Sequence, residues 1–136
     1  YFRNRITELQ VNNPNEQVSD LGWDIHPQGL ANVLIDISQR YSLPTIVTEN
    51  GIADATDTKR QWWLQESMKA IEKVHAKGVN IFGYLHWSLL DNFEWDKGIW
   101  PRFGLIEVDY ETQSRVMRPS AYVYQKLIAQ ARKGTR

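Results

Sequence analysis

Apolar positions along this chain recur with two different periods. From Pro27 to Tyr41, Leu30, Val33, Leu34 and Ile37 fall at i, i+3, i+4 and i+7, which predicts an amphipathic helix. Pro27 suits its first turn and Ser42-Leu43-Pro44 ends it, because proline cannot continue a helix. Thr45-Ile46-Val47-Thr48 is short, mostly β-branched and bounded by Pro44 and Asn50-Gly51, the pattern of a buried strand. A second helix is predicted from about Thr58 to Lys77, with Asp57 or Thr58 as N-cap, Gly78 just past the end, and Leu64, Met68, Ile71 and His75 on one face. Val79 to His86 is again strand-like. Trp87 to Trp100 is a long aromatic and acidic loop. Gly104–Val108 and Arg115–Met117 are predicted to pair as a hairpin across Asp109–Ser114. A last helix is predicted from Pro119 to Arg132, with Tyr124, Leu127, Ile128 and Ala131 inward and residues 133–136 as a flexible tail.

Helix, strand, helix, strand, helix is an alternation that implies βαβ units and a parallel sheet. Two clear strands make a poor sheet, however. A full (β/α)₈ barrel takes roughly 250 residues, so 136 residues supply only part of one. Composition narrows the reading further. The chain carries 16 basic and 16 acidic side chains, which argues against nucleic acid as a partner. It has neither a basic run nor an apolar stretch of membrane-spanning length. Without cysteine there is no disulfide and no thiolate metal site. That absence, with no signal segment in view, leads to the expectation of a cytoplasmic location.

Active sites of parallel α/β folds lie at the C-terminal ends of the strands. Glu49 ends the first strand beside the Asn50-Gly51 turn, where a carboxylate can serve as nucleophile, general base or metal ligand, or else as a simple loop or cap residue. Trp87-Ser88-Leu89-Leu90-Asp91-Asn92-Phe93-Glu94-Trp95 combines indole rings with Asp91, Asn92 and Glu94. Sugars present apolar C–H faces and polar rims, so aromatic platforms beside carboxylates suit them. The three histidines lack metal-ligand spacing, although His86, beside Trp87, lies where it could approach a ligand. No phosphate loop or dinucleotide fingerprint is present, and no cofactor is expected.

The motifs together resemble glycoside hydrolase family 1, the β-glucosidase family. Ile46-Val47-Thr48-Glu49-Asn50-Gly51 resembles one signature and Gly83-Tyr84-Leu85-His86-Trp87-Ser88-Leu89-Leu90-Asp91-Asn92-Phe93-Glu94-Trp95 the second. Arg102-Phe103-Gly104-Leu105, Val108-Asp109-Tyr110 and Asp20–Ile25 extend the match over nearly the whole chain. The resemblance implies a retaining glycosidase on a (β/α)₈ TIM barrel, with residues 1–136 forming the C-terminal portion of its single catalytic domain, about the last three βα units. It implies Glu49 as nucleophile and Tyr1 as the tyrosine that hydrogen-bonds it. It implies Trp87 as the platform under the sugar, Glu94 as acceptor from the 4- and 6-hydroxyls, Trp95 as an N–H donor and Phe103 as a further wall.

The family's acid/base, the Glu of an Asn-Glu-Pro motif, is not matched in this chain, and Asn15-Glu16-Gln17 lies in the wrong place to replace it. Trp63 and Ile99 stand where the family commonly has Tyr, departures expected to affect packing or the cleft rim rather than the chemistry. The implied partners are a β-glucoside substrate and an N-terminal portion of the same barrel, without which the parallel sheet would keep an open, aggregation-prone edge. Two other readings compete: a carbohydrate-binding or degenerate fragment that uses the aromatic loop without catalysis, and a purely structural α/β domain.

Overall fold

The computed structural model describes residues 17–134. Its elements follow the expected alternation: α1 (Gln28–Arg40), β1 (Thr45–Val47), α2 (Arg60–His75), β2 (Ile81–Tyr84), a 3₁₀ turn (Trp95–Lys97), β3 (Ile106–Val108), β4 (Arg115–Met117) and α3 (Pro119–Gly134). β1 and β2 pair in parallel, Thr45 opposite Ile81 and Val47 opposite Tyr84, with an irregularity after Thr45. β3 and β4 form the predicted antiparallel hairpin, Ile106 opposite Met117. Its turn is held by Asp109, whose carboxylate accepts from the Glu111 and Thr112 amides at 2.9 and 3.0 Å.

The helices cover one face of the parallel pair. Leu30, Ala31 and Leu34 of α1, Val47 of β1, and Ala70 and Val74 of α2 form the main core. Leu64, Leu105 and Ala121 form a second cluster that joins α2 to α3. On the strands Ile46 and Phe82 stay exposed. They are the bare apolar side chains of a sheet whose other face these elements leave uncovered.

Several expected details differ. In α1, Val33 is exposed and Ala31 takes its place inward, because the buried stripe turns toward β1. In α2, His75 is exposed and Met68 and Ile71 are half-buried, while Arg60, Trp63, Leu64, Ser67, Ala70 and Val74 are buried. The inward face therefore includes an arginine and a serine that an apolar pattern cannot reveal. Neither Asp57 nor Thr58 caps α2. Asp54 does so from farther back, accepting from the Lys59 and Arg60 amides at 2.8 and 2.9 Å. In α3, Ile128 and Ala131 are exposed, and the helix continues through Gly134, so Lys133 and Gly134 are helical where a tail was expected.

Candidate active site

Glu49 lies two residues past the last residue of β1, and Trp87 three past the last of β2, at the same end of the parallel pair. Their loops are joined by backbone. The Leu85 amide donates to the Val47 carbonyl at 2.8 Å and the Trp87 amide to the Asn50 carbonyl at 2.9 Å. The Tyr84 hydroxyl donates to the Asn50 side-chain oxygen at 3.0 Å. Gly51 is required by this approach, since a Cβ there would sit 1.7 Å from the Trp87 carbonyl oxygen.

Behind Glu49, the chain from Ile52 to Arg60 folds around a buried ionic network. Arg60, wholly buried, pairs with Asp57 and donates to the carbonyls of Asp54 and Arg102 at 2.6 and 2.7 Å. Asp57 accepts from the Ser120 amide at 2.8 Å, which ties the network to the start of α3. Burial alone would raise the Asp54 pKa. The amides of Lys59 and Arg60, the Thr56 hydroxyl and the Arg60 charge outweigh it and hold the carboxyl below the usual range. Residues 17–25 are stitched to the same segment. The Asp20 amide donates to the Ala53 carbonyl, the Ala55 amide to the Asp20 carboxylate, and the Lys59 ammonium to the Val18 carbonyl, at 3.0, 2.7 and 2.7 Å.

The second loop is fastened at its base. Ser88, Leu89 and Asp91 exchange backbone hydrogen bonds with Phe103, Leu105 and Ile106. Asp91, buried, accepts from the Gly104 amide at 2.9 Å, and from Arg118 through two nitrogens at 2.9 and 3.0 Å. Burial would raise its pKa, but the hydrogen bonds from Arg118 and Gly104 and the Arg118 charge hold it below the usual range. Farther out the loop is open: Phe93 and Trp95 are 66% and 81% exposed.

Between the two loops lies a cleft of about 390 Å³. Five residues singled out from the sequence line it: Glu49, Trp87, Glu94, Trp95 and Phe103. Tyr1 and Glu16 lie outside the described residues. Two further residues line it: Trp63, expected to affect packing or the cleft rim, and Trp23, which was missed. Trp23 packs on Phe103 with ring centroids 6.2 Å apart, and buried Trp63 forms part of the wall. Trp23 sits in the family-like Asp20–Ile25 segment, but no periodicity marks it as a site residue. Asp91 and Asn92, grouped with Glu94 as candidate sugar acceptors, do not line the cleft. Asp91 is spent on Arg118 and backbone amides, and the Asn92 amide donates to the Ser88 hydroxyl at 3.0 Å.

His86 also turns away from the cleft. It is half-buried, with its ring nitrogens shielded from solvent, and packs on Tyr124 with ring centroids 6.0 Å apart. Burial and the nearby Arg60 charge outweigh the Phe103 carbonyl and push its pKa down to about 3, so it is neutral and contributes no charge to the site. Among the described residues no group of three or more His, Cys, Asp or Glu could hold a metal ion. The cleft therefore offers two carboxylates set among aromatic rings, an arrangement suited to a neutral polyol with apolar faces.

Comparison with known proteins places the chain in a family. A profile of glycosyl hydrolase family 1 matches residues 3–133. The chain belongs to that family. Its similarity to individual family 1 proteins is of the same kind. The beta-galactosidase of Sulfolobus acidocaldarius is 46% identical over 126 residues, covering 93% of this chain and 26% of that enzyme. The beta-glucosidase A of Thermotoga maritima is 36% identical over 118 residues, covering 79% and 26%. The solved hyperthermophilic beta-glucosidase of Pyrococcus furiosus superposes with a TM-score of 0.82 at 46% identity, covering 85% of this chain and 24% of that one. The family 1 segment thus spans about a quarter of the length of the relatives it matches, and its α/β elements are part of the family's TIM barrel.

Proposed function

We propose that the protein carrying this chain is a retaining β-glycosidase acting on unphosphorylated β-D-glucosides. Glu49 attacks the anomeric carbon to form a glycosyl-enzyme, as an acid/base from another part of the barrel protonates the departing oxygen. Water then releases the sugar. Trp87 and Phe103 bear on the apolar faces of the ring, Glu94 accepts from its 4- and 6-hydroxyls, and Trp95 donates its indole N–H to a hydroxyl. The observation that carries this reading is the meeting of Glu49 and Glu94 with three of the predicted aromatic residues in one cleft at the ends of β1 and β2.

Retaining hydrolysis needs a nucleophile and an acid/base carboxyl about 5–5.5 Å apart. With Glu94 engaged by the sugar hydroxyls and no Asn-Glu-Pro motif in the sequence, the 136-residue chain should be inactive until the rest of the barrel is supplied. The competing reading, a binding fragment without catalysis, gives no reason for a carboxylate at Glu49. The experiment is Glu49→Ala in the full-length enzyme. Hydrolysis of 4-nitrophenyl β-D-glucoside should fall by many orders of magnitude, and azide should restore part of it and yield the α-glycosyl azide. Near-normal hydrolysis would overturn the assignment.

Glu94 sets the substrate class. In a partly dry cleft its carboxylate repels a 6-phosphate dianion, while it accepts from neutral hydroxyls in charge-assisted hydrogen bonds worth roughly 1.5–3 kcal/mol. A higher kcat/KM for the 6-phosphorylated glucoside than for the plain one would contradict this.

A further inference from the structure

We infer that Asp91 is a positioning residue for the sugar-gripping side of the cleft, acting through Glu94 and Phe103. The inference rests on the proposed role of Glu94 and extends it to a residue that does not line the cleft.

The geometry is one carboxylate that fixes two stretches of chain at once. Asp91 Oδ1 accepts from the Gly104 amide at 2.9 Å, the residue next to Phe103, and Oδ2 accepts from the Val108 amide at 3.3 Å. Arg118 clamps both oxygens and also donates to the Gly104 carbonyl at 2.8 Å. Arg102, on the other side of Phe103, approaches Oδ2 at 3.4 Å. Phe103 is therefore flanked on both sides by residues that converge on Asp91. Gly104 is needed here, because a Cβ would lie 2.3 Å from the Asp91 amide nitrogen.

Glu94 follows Asp91 by three residues. The backbone ladder that fastens this loop to the body runs through Ser88 and Leu89 and ends with the Asp91 amide on the Ile106 carbonyl at 3.1 Å. Beyond it, among the described residues, the hydrogen bonds of residues 93–98 stay within the loop, as in the Glu94 amide on the Gly98 carbonyl at 2.7 Å. Asp91 is thus the last residue before Glu94 that is bonded to the body of the protein, since the Asn92 side chain, donating to the Ser88 hydroxyl at 3.0 Å, adds a contact within the loop. A buried carboxylate with paired, charge-assisted donors has one orientation and little freedom. Three residues of chain extend about 10 Å at most, so a shift at Asp91 carries through to the Glu94 carboxylate.

The test compares kcat/KM for 4-nitrophenyl β-D-glucoside and its 6-deoxy analogue on the full-length enzyme. Their ratio on one preparation does not depend on how much of it is folded, so a purely structural defect leaves it unchanged. Glu94→Gln should lower the ratio roughly 10–100-fold by weakening the bond to the 6-hydroxyl. Asp91→Asn should lower it by less, roughly tenfold, through misplacement. The double variant should match Glu94→Gln alone. Should Asp91→Asn fail to fold, Arg118→Lys keeps the charge, breaks the paired clamp and should also lower the ratio. An unchanged ratio in the Asp91 or Arg118 variant while Glu94→Gln lowers it, or additive losses in the double variant, would overturn the inference. An unchanged ratio in Glu94→Gln would instead overturn the role of Glu94 itself.

Discussion

The two loops that form the cleft are built on opposite plans. The loop after β1 carries Glu49 and runs at once into buried ionic structure: Asp54, Asp57 and Arg60 are each at most 5% exposed and tie it to α2, to Arg102 and to α3. The loop after β2 is pinned at Asp91 and then opens into solvent, with Trp95 81% exposed. A nucleophile must be held within a fraction of an ångström of its target. A wall that admits and releases a sugar can be looser, because stacking tolerates small displacements. On the proposed function, rigidity is concentrated where the bond is made, and aromatic surface where the ligand enters.

Four changes probe that contrast, the largest expected effect first. Arg60→Met leaves Asp57 buried and unpaired except for the Ser120 amide, a loss on the order of 3–5 kcal/mol. It should appear as a large fall in the melting temperature of the full-length protein. Gly51→Ala drives a methyl group into the Trp87 carbonyl. Overpacking of this kind costs about 1–3 kcal/mol, and the displacement of Glu49 should cut kcat/KM roughly a hundredfold. A milder loss from Gly51→Ala than from changes in the outer loop would reverse the assignment of rigid and loose.

The third change concerns pH. His86, neutral in the folded protein with its pKa near 3, is protonated in the unfolded chain below its ordinary value of 6.5. Between those limits the unfolded state binds the extra proton, so stability falls as pH falls, by up to about 1.4 kcal/mol per pH unit. His86→Phe should flatten that slope, seen as a smaller loss of melting temperature from pH 7 to pH 4.5. The depressed carboxyls of Asp54 and Asp91 add a loss only below their ordinary 3.8. An equally steep slope in the variant would show that His86 does not stay neutral. The smallest effect on stability belongs to Trp95→Ala, within about 0.5 kcal/mol for so exposed a side chain, although KM for the glucoside should rise. A large drop in melting temperature would show that the outer loop is not free-standing.

Much of this arrangement is legible in the sequence where the signal is local. The helix bounds of α1, the β3–β4 hairpin and the strand ends bearing Glu49 and Trp87 follow from periodicity, proline and turn chemistry. What sequence reading missed is set by partners far along the chain. The cap of α2 is Asp54 because Asp57 is occupied by Arg60 and Ser120, 63 residues away. Asp91 resembles Glu94 in composition and neighbourhood. Arg118, 27 residues on, makes one of them a structural ion and leaves the other facing the cleft. Trp23 joins the wall through tertiary approach that no spacing encodes.

The stitching of residues 17–25 to the segment behind Glu49 bears on how members of this family can be recombined. Val18, Asp20 and their contacts at Ala53, Ala55 and Lys59 form a matched set. A chimera whose crossover falls between Ile25 and Thr45 would pair one parent's Asp20 with the other's Ala55 loop. Two of these three bonds use side chains of particular length and charge, Asp20 and Lys59. The two segments are therefore one unit of inheritance although α1 and β1 separate them. Parents that differ at either position should yield functional chimeras only when both segments come from the same one.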